Sequence, residues 1–407
     1  MVLKRKLFSQ LINHLDAKEF TIIVGPRQSG KTTLLSQLSD HLREKDELVY
    51  SFTLEDPAIL YTLNRHPENI FDLFIKKDQQ RIYILIDEIQ YLADPSNFLK
   101  LLYDKHAGLI KIIATGSSAF YIDRKFKDSL AGRKRLFDLF SLSFDEMLDF
   151  KTGNQELSEE LQNMRDNDNY SPSRLQQLEA LFIEYLTYGG YPAVVLAQDH
   201  EEKILKLKEL LYSFVKRDIT ESNISDPEKF YRMMLLLSHQ TGSLVNSSEL
   251  ALTLKLSSTA VENYFYVLRK CFHIQLIKPF FGNIRKELVK MPKCYFHDLG
   301  MRNTLMNQYN PIYQRLDKGE LVENYAFIRL REKIGLDSLF FWRTTEGNEV
   351  DFVCRQGDKQ GEAIEIKYSL VSFNSGKYSQ FTTGYPAIPL SCRAFEADRN
   401  GGKIMAL

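Results

Sequence analysis

Short apolar runs separated by polar turns mark residues 1–150. Phe20-Thr21-Ile22-Ile23-Val24, Ile82-Tyr83-Ile84-Leu85-Ile86 and Ile110-Lys111-Ile112-Ile113-Ala114 have the length and content of buried strands, and Thr33 to Leu38 opens a helix. Another strand-like run extends from Leu136 to Phe144. Strands that alternate with helices predict an α/β domain over residues 1–150.

Residues 151–225 begin with a polar stretch, Lys151 to Arg174, whose weak periodicity predicts a loop or mobile insertion. Leu175 to Leu186 and Glu201 to Glu221 then show helical spacing on either side of the turn Tyr188-Gly189-Gly190-Tyr191-Pro192. We expect these helices to form a lid on the first domain. Their basic residues form either a solvated helix face or a binding surface: Lys203, Lys206, Lys208, Lys216 and Arg217.

Residues 226–310 have the pattern of a winged helix-turn-helix. Asn246-Ser247-Ser248 is a helix cap, and a second cap at Ser257-Ser258 begins a helix from Thr259 to Cys271. The run from His273 to Asn283 and the strand Cys294-Tyr295-Phe296 predict the wing. Five side chains are candidates for contact with a DNA groove: Thr259, Asn263, Tyr266, Arg269 and Lys270. Winged helices also serve as structural or protein-contact modules, and that alternative stays open.

Residues 311–407 predict a smaller α/β domain. A helix from Glu320 to Ile334 precedes three strands, Leu339 to Arg343, Glu349 to Cys354 and Ala363 to Tyr368. The last strand directs Glu365 and Lys367 to one face, because side chains alternate along a strand. A hairpin turn from Gly357 to Gly361 would bring Asp351 beside them.

Net charge, cysteine spacing and apolar content place only a few limits on what the protein binds and where it is located. Lys+Arg and Asp+Glu both total 53, so any nucleic-acid surface must be local. The four cysteines are scattered without C-x-x-C spacing, which disfavours zinc and a disulfide framework. The basic start lacks a following apolar segment, and no stretch is apolar enough to span a bilayer. We expect a cytoplasmic protein with no membrane partner.

Residues Gly25 to Thr32 match the phosphate-binding pattern G-x-x-x-x-G-K-[ST] and lie between the first predicted strand and the first predicted helix. This pattern predicts a nucleotide-binding site. Its glycines would let backbone N–H groups point at phosphates, Lys31 would reach the β- and γ-phosphates, and the Thr32 hydroxyl would coordinate Mg²⁺. A glycine turn that matches by accident is the alternative. The candidate ATP contacts are Gly25, Pro26, Arg27, Gln28, Ser29, Gly30, Lys31, Thr32 and Thr33.

Two acids close the second predicted strand, as ATP hydrolysis requires. Asp87 would hold Mg²⁺, and Glu88 would orient and activate water, although a strand that merely ends in polar residues would look alike. Thr115 follows the third strand and is suited to sensing the γ-phosphate. Arg133 could supply transition-state charge in cis or in trans, but it could equally belong to a solvated or nucleic-acid-binding basic loop.

These motifs resemble the bacterial and archaeal AAA-type ATPases whose C-terminal half is the DUF4143 domain. The resemblance covers most of the chain and implies a P-loop NTPase parallel sheet of the additional-strand, catalytic-glutamate type, with Arg133 as a finger. The matching segments are Gly25 to Thr32, Leu85 to Gln90, Thr115-Gly116-Ser117, Gly132-Arg133, Ser143 to Glu146 and Tyr188 to Pro192.

The C-terminal acids and lysine have the composition of a metal-dependent phosphodiesterase site. They resemble the PD-(D/E)xK nuclease-like superfamily, which implies Asp351 and Glu365 as metal ligands, Lys367 as the catalytic lysine and Glu323 as an additional acid. Glu349-Val350-Asp351 replaces the usual Pro-Asp dipeptide. The alternatives are an edge hairpin with ordinary surface charges, or a retained nuclease fold that only binds.

The sequence therefore predicts a cytosolic ATPase that uses ATP and Mg²⁺ and repositions a DNA-directed module, with homo-oligomerisation left open. The alternative is a nucleotide-dependent regulatory or scaffold switch that binds DNA or protein without cutting.

Overall fold

The structure is a computed structural model that describes residues 4–74, 81–116, 130–167, 170–222, 224–280, 291–356 and 360–396, with 405 and 407. Contacts divide the chain into unit 1, Met1–Ser141 with Lys270–Phe272, and unit 2, Leu142–Arg269 with His273–Leu407. The finer division at 1–150, 151–225, 226–310 and 311–407 stays a prediction.

Unit 1 is built around a parallel sheet. Its strands are β1 (Phe20–Val24), β2 (Leu48–Thr53), β3 (Ile82–Asp87), β4 (Ile110–Gly116) and β5 (Lys134–Asp138). Its helices are α1 (Leu7–His14), α2 (Lys31–Arg43), α3 (Pro57–Arg65) and α4 (Pro95–His106), with 3-10 turns at Pro67–Leu73 and Ile89–Tyr91. The strands pair in parallel in the order β2-β3-β4-β1-β5, so β4 lies between β1 and β3. The predicted α/β fold with a parallel sheet is confirmed.

Both faces of this sheet are covered, and every residue of β1 and β4 is buried even though Thr21, Lys111 and Thr115 interrupt their apolar runs. Ile22 and Ile84 pack in a cluster with side chains of α3 and α4, whereas Ile23 and Leu85 pack in a second cluster with side chains of α1 and α2. Alternation of side chains along each strand sends neighbours to opposite faces. A continuous apolar run is therefore the pattern that a doubly covered parallel strand requires.

One predicted strand is shorter than expected. The apolar run from Leu136 to Phe144 divides between β5, which ends at Asp138, and a helix that begins at Phe144. Ser143 and Glu146 form a capping box, in which each side chain accepts the other residue's backbone N–H. Because this cap satisfies the first helical N–H groups, the run cannot continue as a strand.

Unit 2 combines helices with a second sheet. Its helices are α5 (Phe144–Thr152), α6 (Glu156–Asp166), α7 (Leu175–Tyr188), α8 (Pro192–Val195), α9 (His200–Glu221), α10 (Pro227–His239), α11 (Ser247–Leu254), α12 (Ser258–Lys270), α13 (Leu299–Leu305), α14 (Lys318–Ile334) and α15 (Ser379–Gly384). Its strands are β6 (Ile274–Pro279), β7 (Lys293–Phe296), β8 (Leu339–Arg343), β9 (Glu349–Gln356), β10 (Gln360–Ser369) and β11 (Leu390–Glu396). Short 3-10 turns lie at Ile312–Gln314, Leu336–Ser338, Leu370–Ser372 and Ser375–Tyr378.

The predicted loop from Lys151 to Arg174 contains a helix. Leu157 and Leu161, one helical turn apart in α6, are fully buried in the main apolar cluster of unit 2. Leu157, Leu161 and Met164 recur at helical spacing, but the many polar residues around them led the sequence analysis to predict a loop. Asp168 and Asn169, which belonged to the same predicted loop, lie outside the described residues.

The basic residues of α9 were predicted to form either a solvated helix face or a binding surface, and Lys203 belongs to neither. It is only 7% exposed, and its ammonium lies 2.9 Å from the Glu184 carboxylate of α7. Lys206 pairs with Glu202 on the same helix, whereas Lys208, Lys216 and Arg217 are exposed. An amphipathic helix can bury a lysine where a partner carboxylate faces it.

The second sheet has the order β11-β10-β9-β8-β6-β7. The pairs β8–β9 and β9–β10 are antiparallel, and β10–β11 is parallel. Ala326 and Leu330 of α14 share a core with Phe352 and Ile364 of the sheet. A smaller apolar cluster, which includes Trp342 and Phe381, lies under α15. The turn residues predicted at 357–359 lie outside the described part of the chain.

The segment predicted as a winged helix contains α10, α11 and α12 followed by the antiparallel pair β6–β7. Leu244 forms an isolated antiparallel bridge with Lys293 at the start of β7. β6 also pairs with β8 through Lys278 and Pro279, which makes the hairpin continuous with the second sheet. The predicted wing residues 281–283 lie outside the described residues, and the winged-helix assignment stays a prediction.

Within the described ranges, no helix is long and apolar enough to cross a membrane.

Asn324 joins α14 to β7. Its fully buried amide accepts a hydrogen bond from Phe296 N–H (2.8 Å) and donates one to Phe296 C=O (2.9 Å). Asn324→Ala would leave both buried backbone groups unsatisfied, so we expect the free energy of unfolding to fall by about 2–4 kcal/mol. Urea denaturation followed by circular dichroism measures this loss. Asn163→Ala, at an exposed helical asparagine, is the matched control, and equal midpoints for the two variants would contradict the assignment.

Candidate functional site

The phosphate-binding loop connects β1 to α2 at the carboxyl edge of the first sheet. Gly30 adopts φ 93°, which favours glycine, and it caps the helix that begins at Lys31. At Gly25, a Cβ atom would lie 2.0 Å from the Leu139 carbonyl oxygen, so no side chain fits. The two glycines are therefore required by the loop's shape as well as by its ligand.

Arg5, which the sequence did not single out, holds this loop in place. Its guanidinium donates hydrogen bonds to the carbonyls of Ser29 (2.7 Å) and Phe140 (2.9 Å). Its position in a basic N-terminal run was the only sequence signal, and such runs are usually solvated. The Ser29 hydroxyl is buried without a hydrogen-bond partner among the described residues. Gln28 has φ 57° and, like Thr33, is exposed, while Arg27 is partly buried.

Lys31 is buried inside the loop. Only 4% of the residue is exposed, and its ammonium donates to the carbonyls of Gly25 (3.1 Å) and Pro26 (2.9 Å). Burial lowers the pKa of Lys31 to about 8. Neutral carbonyl groups satisfy its hydrogen bonds, and the charges of Glu88 and Asp87 raise its pKa by less than burial lowers it, so the ammonium is poised for a further anion.

Asp87, Thr32 and Thr115 meet at the ends of three elements. The Thr32 hydroxyl at the start of α2 donates to Asp87 Oδ2 at 2.7 Å, and the Thr115 hydroxyl of β4 donates to Asp87 Oδ1. The strand order makes this possible, since β4 separates β1 from β3. A carboxylate beside a hydroxyl is an oxygen donor set of the kind that Mg²⁺ prefers, so the predicted ligands Thr32 and Asp87 fit this ion.

Glu88 has an unusual backbone. Its φ of 58° and ψ of 51° lie in the left-handed region, and its N–H donates to the Thr115 hydroxyl at 3.1 Å. The Gln90 side-chain amide donates to the Glu88 carboxylate. Strained residues of this kind cluster at functional sites. Gln90 lay inside the quoted Leu85 to Gln90 motif, but the sequence assigned it no role.

Arg133 is not brought to this edge. Its carbonyl accepts from Phe20 N–H, at the amino end of β1, whereas the phosphate-binding loop follows the carboxyl end. Its guanidinium pairs with Asp104, with Nε 2.6 Å from Oδ1. The cis arginine-finger prediction is therefore not supported by this geometry, because the length of β1 separates Arg133 from the loop. Ser117 of the same motif series lies outside the described residues.

The second candidate site is a carboxylate cluster in unit 2 formed by Glu323, Glu349, Asp351 and Glu365. Ile366 N–H donates to Asp351 Oδ2 at 2.8 Å, and Asp351 N–H donates to Glu365 Oε2 at 3.3 Å. Lys367 forms an ion pair with Glu365. The predicted Asp351, Glu365 and Lys367 therefore lie together.

Lys293, which the sequence did not single out, lies inside this carboxylate cluster. Its ammonium is 2.9 Å from Glu323 Oε1, 2.5 Å from Glu349 Oε1 and 3.5 Å from Asp351 Oδ1. Burial alone would lower the pKa of Lys293, but the carboxylates, chiefly Glu323, outweigh it and hold the pKa well above its usual value. Nothing in the spacing around residue 293 indicated this contact, because it is made across three elements.

This arrangement does not fit the predicted nuclease metal ion. Among the described residues, no group of three or more histidine, cysteine, aspartate or glutamate side chains is arranged to hold a metal. Instead, a lysine ammonium lies among the carboxylates. Burial raises the pKa values of Glu323 and Glu365, and the neighbouring ammonium groups of Lys293 and Lys367 act against that rise by favouring the ionised carboxylates.

The candidate DNA face of α12 is exposed. Thr259, Asn263, Tyr266 and Arg269 lie on the surface and Lys270 is partly buried, while the opposite face buries apolar residues such as Val261 and Leu268. The outward face is therefore available to a partner.

Comparison with known proteins defines the class. Residues 17–148 match the family described as an AAA domain, residues 318–388 match the domain of unknown function DUF4143, and residues 179–311 match the domain of unknown function DUF8612. The chain thus carries an AAA domain followed by DUF4143, as the resemblance predicted; the nuclease-like character of the second is not part of these matches.

Two uncharacterized proteins are similar over most of their length. One, MJ1637 of Methanocaldococcus jannaschii, is 32% identical over 353 residues, which cover 82% of this chain and 72% of that protein. One from Haemophilus influenzae is 26% identical over 387 residues, covering 92% and 87%. The chain belongs to the family of MJ1637. Among solved structures, Caenorhabditis elegans PCH-2 aligns over 51% of this chain and 59% of its own, with 16% identity and a TM-score of 0.31.

Lys31→Ala tests the nucleotide site. Because it removes the buried ammonium that would contact the phosphates, we expect ATP affinity to fall on the order of 100-fold, about 2.7 kcal/mol. Isothermal titration calorimetry measures the change. Lys45→Ala, at an exposed lysine beyond α2, should bind as the wild type does, and an unchanged affinity in Lys31→Ala would remove this lysine from the site.

Proposed function

We propose that the protein is a Mg²⁺-dependent ATP hydrolase whose nucleotide cycle controls a DNA-contacting module in unit 2. The observation that carries the proposal is the meeting of Thr32, Asp87 and Thr115 beside the buried ammonium of Lys31. Such a gathering at the carboxyl edge of a parallel sheet is the site expected for a nucleotide. The AAA domain match supports ATP-dependent activity.

In the proposed reaction, Lys31 turns from the carbonyls of Gly25 and Pro26 to the β- and γ-phosphates. Thr32 and Asp87 would hold Mg²⁺, which neutralises phosphate charge when it is bound. Glu88 orients the attacking water and accepts its proton, while Thr115 fixes the backbone of Glu88 and the carboxylate of Asp87.

The Gln90–Glu88 contact orients the proposed base. The Gln90 amide donates to one of the two carboxylate oxygens of Glu88, Oε2. Because an ionised carboxylate accepts through both oxygens, this bond orients the Glu88 side chain without preventing it from accepting a proton.

Glu88→Gln separates binding from chemistry. The amide keeps the size of the side chain but cannot accept a proton, so we expect the rate of ATP hydrolysis to fall by about 10²–10⁴-fold while ATP affinity stays within about threefold. Phosphate release and calorimetry measure the two quantities. Glu55→Gln, at an exposed carboxylate, is the control. Hydrolysis that survives in Glu88→Gln would assign the base elsewhere.

We further propose that the α12 face contacts DNA. The support is the exposed row Thr259, Asn263, Tyr266 and Arg269, which combines polar, aromatic and cationic side chains. Because the formal net charge of the chain is zero, its affinity for DNA must come from a local surface such as this one.

Arg269→Ala should weaken DNA binding by on the order of tenfold and lower the slope of log affinity against log salt by about one, as expected when one phosphate contact is lost. Fluorescence anisotropy with labelled duplex and single-stranded DNA at several salt concentrations measures both. Arg174→Ala, an exposed arginine outside the predicted winged helix, should have no effect. Equal losses in both variants would indicate nonspecific charge, and no binding by the wild type would favour a protein-contact role.

A second candidate function is a nucleotide-dependent regulatory or scaffold switch that binds DNA or protein without cutting. One observation favours it over a metal-dependent nuclease, namely the position of Lys293 among Glu323, Glu349 and Asp351.

A further inference from the structure

Lys293 is the central cation of the carboxylate cluster. Its side chain is 1% exposed, and its ammonium contacts three carboxylates from two elements: Glu323 of α14, and Glu349 and Asp351 of β9. It also lies 5.6 Å from the centroid of the Phe341 ring on β8. The Lys293 ammonium is therefore buried and enclosed by three carboxylates and an aromatic ring.

Other oxygens of the cluster also have protein partners. Glu365 Oε1 accepts from the Tyr378 hydroxyl at 2.7 Å and pairs with Lys367, and its Oε2 accepts from Asp351 N–H. Glu323 Oε1 accepts from the Tyr295 hydroxyl at 2.6 Å, and Glu349 Oε2 pairs with Arg343 at 2.8 Å. Three cations therefore face the four carboxylates: Lys293, Lys367 and Arg343.

We propose that the Lys293 ammonium takes the place of a divalent cation in this cluster, so that the nuclease-like module is a metal-free element that binds without cutting. A divalent ion bound by Glu323 and Asp351 would lie within a few ångströms of a like charge that cannot move into water, and that repulsion disfavours binding. The inference deepens the second candidate function and rests on it.

Lys293 belongs to the β6–β7 hairpin, so an ammonium in the place of a metal ion also has a structural consequence. It begins β7, and its backbone bridges to Leu244 beside the predicted winged helix. The ion pairs of Lys293 therefore connect the β6–β7 hairpin to α14 and β9. A metal ion bound by the same carboxylates would connect only α14 and β9. The Lys293 ion pairs add to the β6–β8 pairing that already joins the hairpin to the second sheet.

The test is Mn²⁺ binding to the full-length chain without nucleotide, followed by electron paramagnetic resonance. Thr32→Ala with Asp87→Asn serves as the background, because it removes the candidate metal ligands of unit 1. We expect no saturable Mn²⁺ site in this background. Adding Lys293→Met, which keeps the length of the side chain, should create one site and raise affinity by on the order of tenfold or more. Adding Asp351→Asn should then abolish that site.

Lys293→Arg is the matched control, since it keeps the charge and should bind no Mn²⁺. A background protein that binds Mn²⁺ in a site lost on Asp351→Asn would overturn the proposal, and so would a folded Lys293→Met chain that gains no site. If Lys293→Met does not fold, the background protein with and without Asp351→Asn decides the question alone. ATP hydrolysis is measured separately, so failure of this inference is distinguishable from failure of the proposed ATPase.

Discussion

The need to compensate a buried ammonium governs both candidate sites. Lys31 and Lys293 are each almost fully buried, yet their partners differ. Carbonyl groups accept the hydrogen bonds of Lys31, and burial lowers its pKa more than the charges of Glu88 and Asp87 raise it. Carboxylates cancel the charge of Lys293, and its pKa rises. The first lysine is therefore ready for an anionic ligand, whereas the second already has its counter-charges.

Strand order is what turns separate motifs in unit 1 into a site. Because β4 lies between β1 and β3, the Thr115 hydroxyl reaches both the Asp87 carboxylate and the Glu88 backbone. Arg133 lies at the opposite edge of the same sheet from Thr115, because it precedes β5 and pairs with the amino end of β1. The same parallel arrangement that gathers one set of residues thus excludes another.

Local patterns predicted most of the elements. The strands at Phe20–Val24 and Leu339–Arg343 have the predicted limits, because a short apolar run bounded by polar turns has few alternatives. Two errors came from local signals that were given too little weight. Leu157, Leu161 and Met164 have the spacing of α6, and the capping box of Ser143 with Glu146 ends a run that looked like a strand. Arg5 carried no spacing signal, since only the fold brings it near the Ser29 backbone, whereas Gln90 lies two residues from Glu88 and was simply assigned no role.

By itself, the sequence determined a phosphate-binding loop, the acidic end of its partner strand and an AAA domain joined to DUF4143, since each depends on neighbours in the chain. It also indicated correctly that Asp351, Glu365 and Lys367 would lie together. Only the tertiary structure decided what surrounds them. Lys293 enters the cluster from a different element, and whether four carboxylates hold a metal or a lysine depends on a contact that no local period encodes.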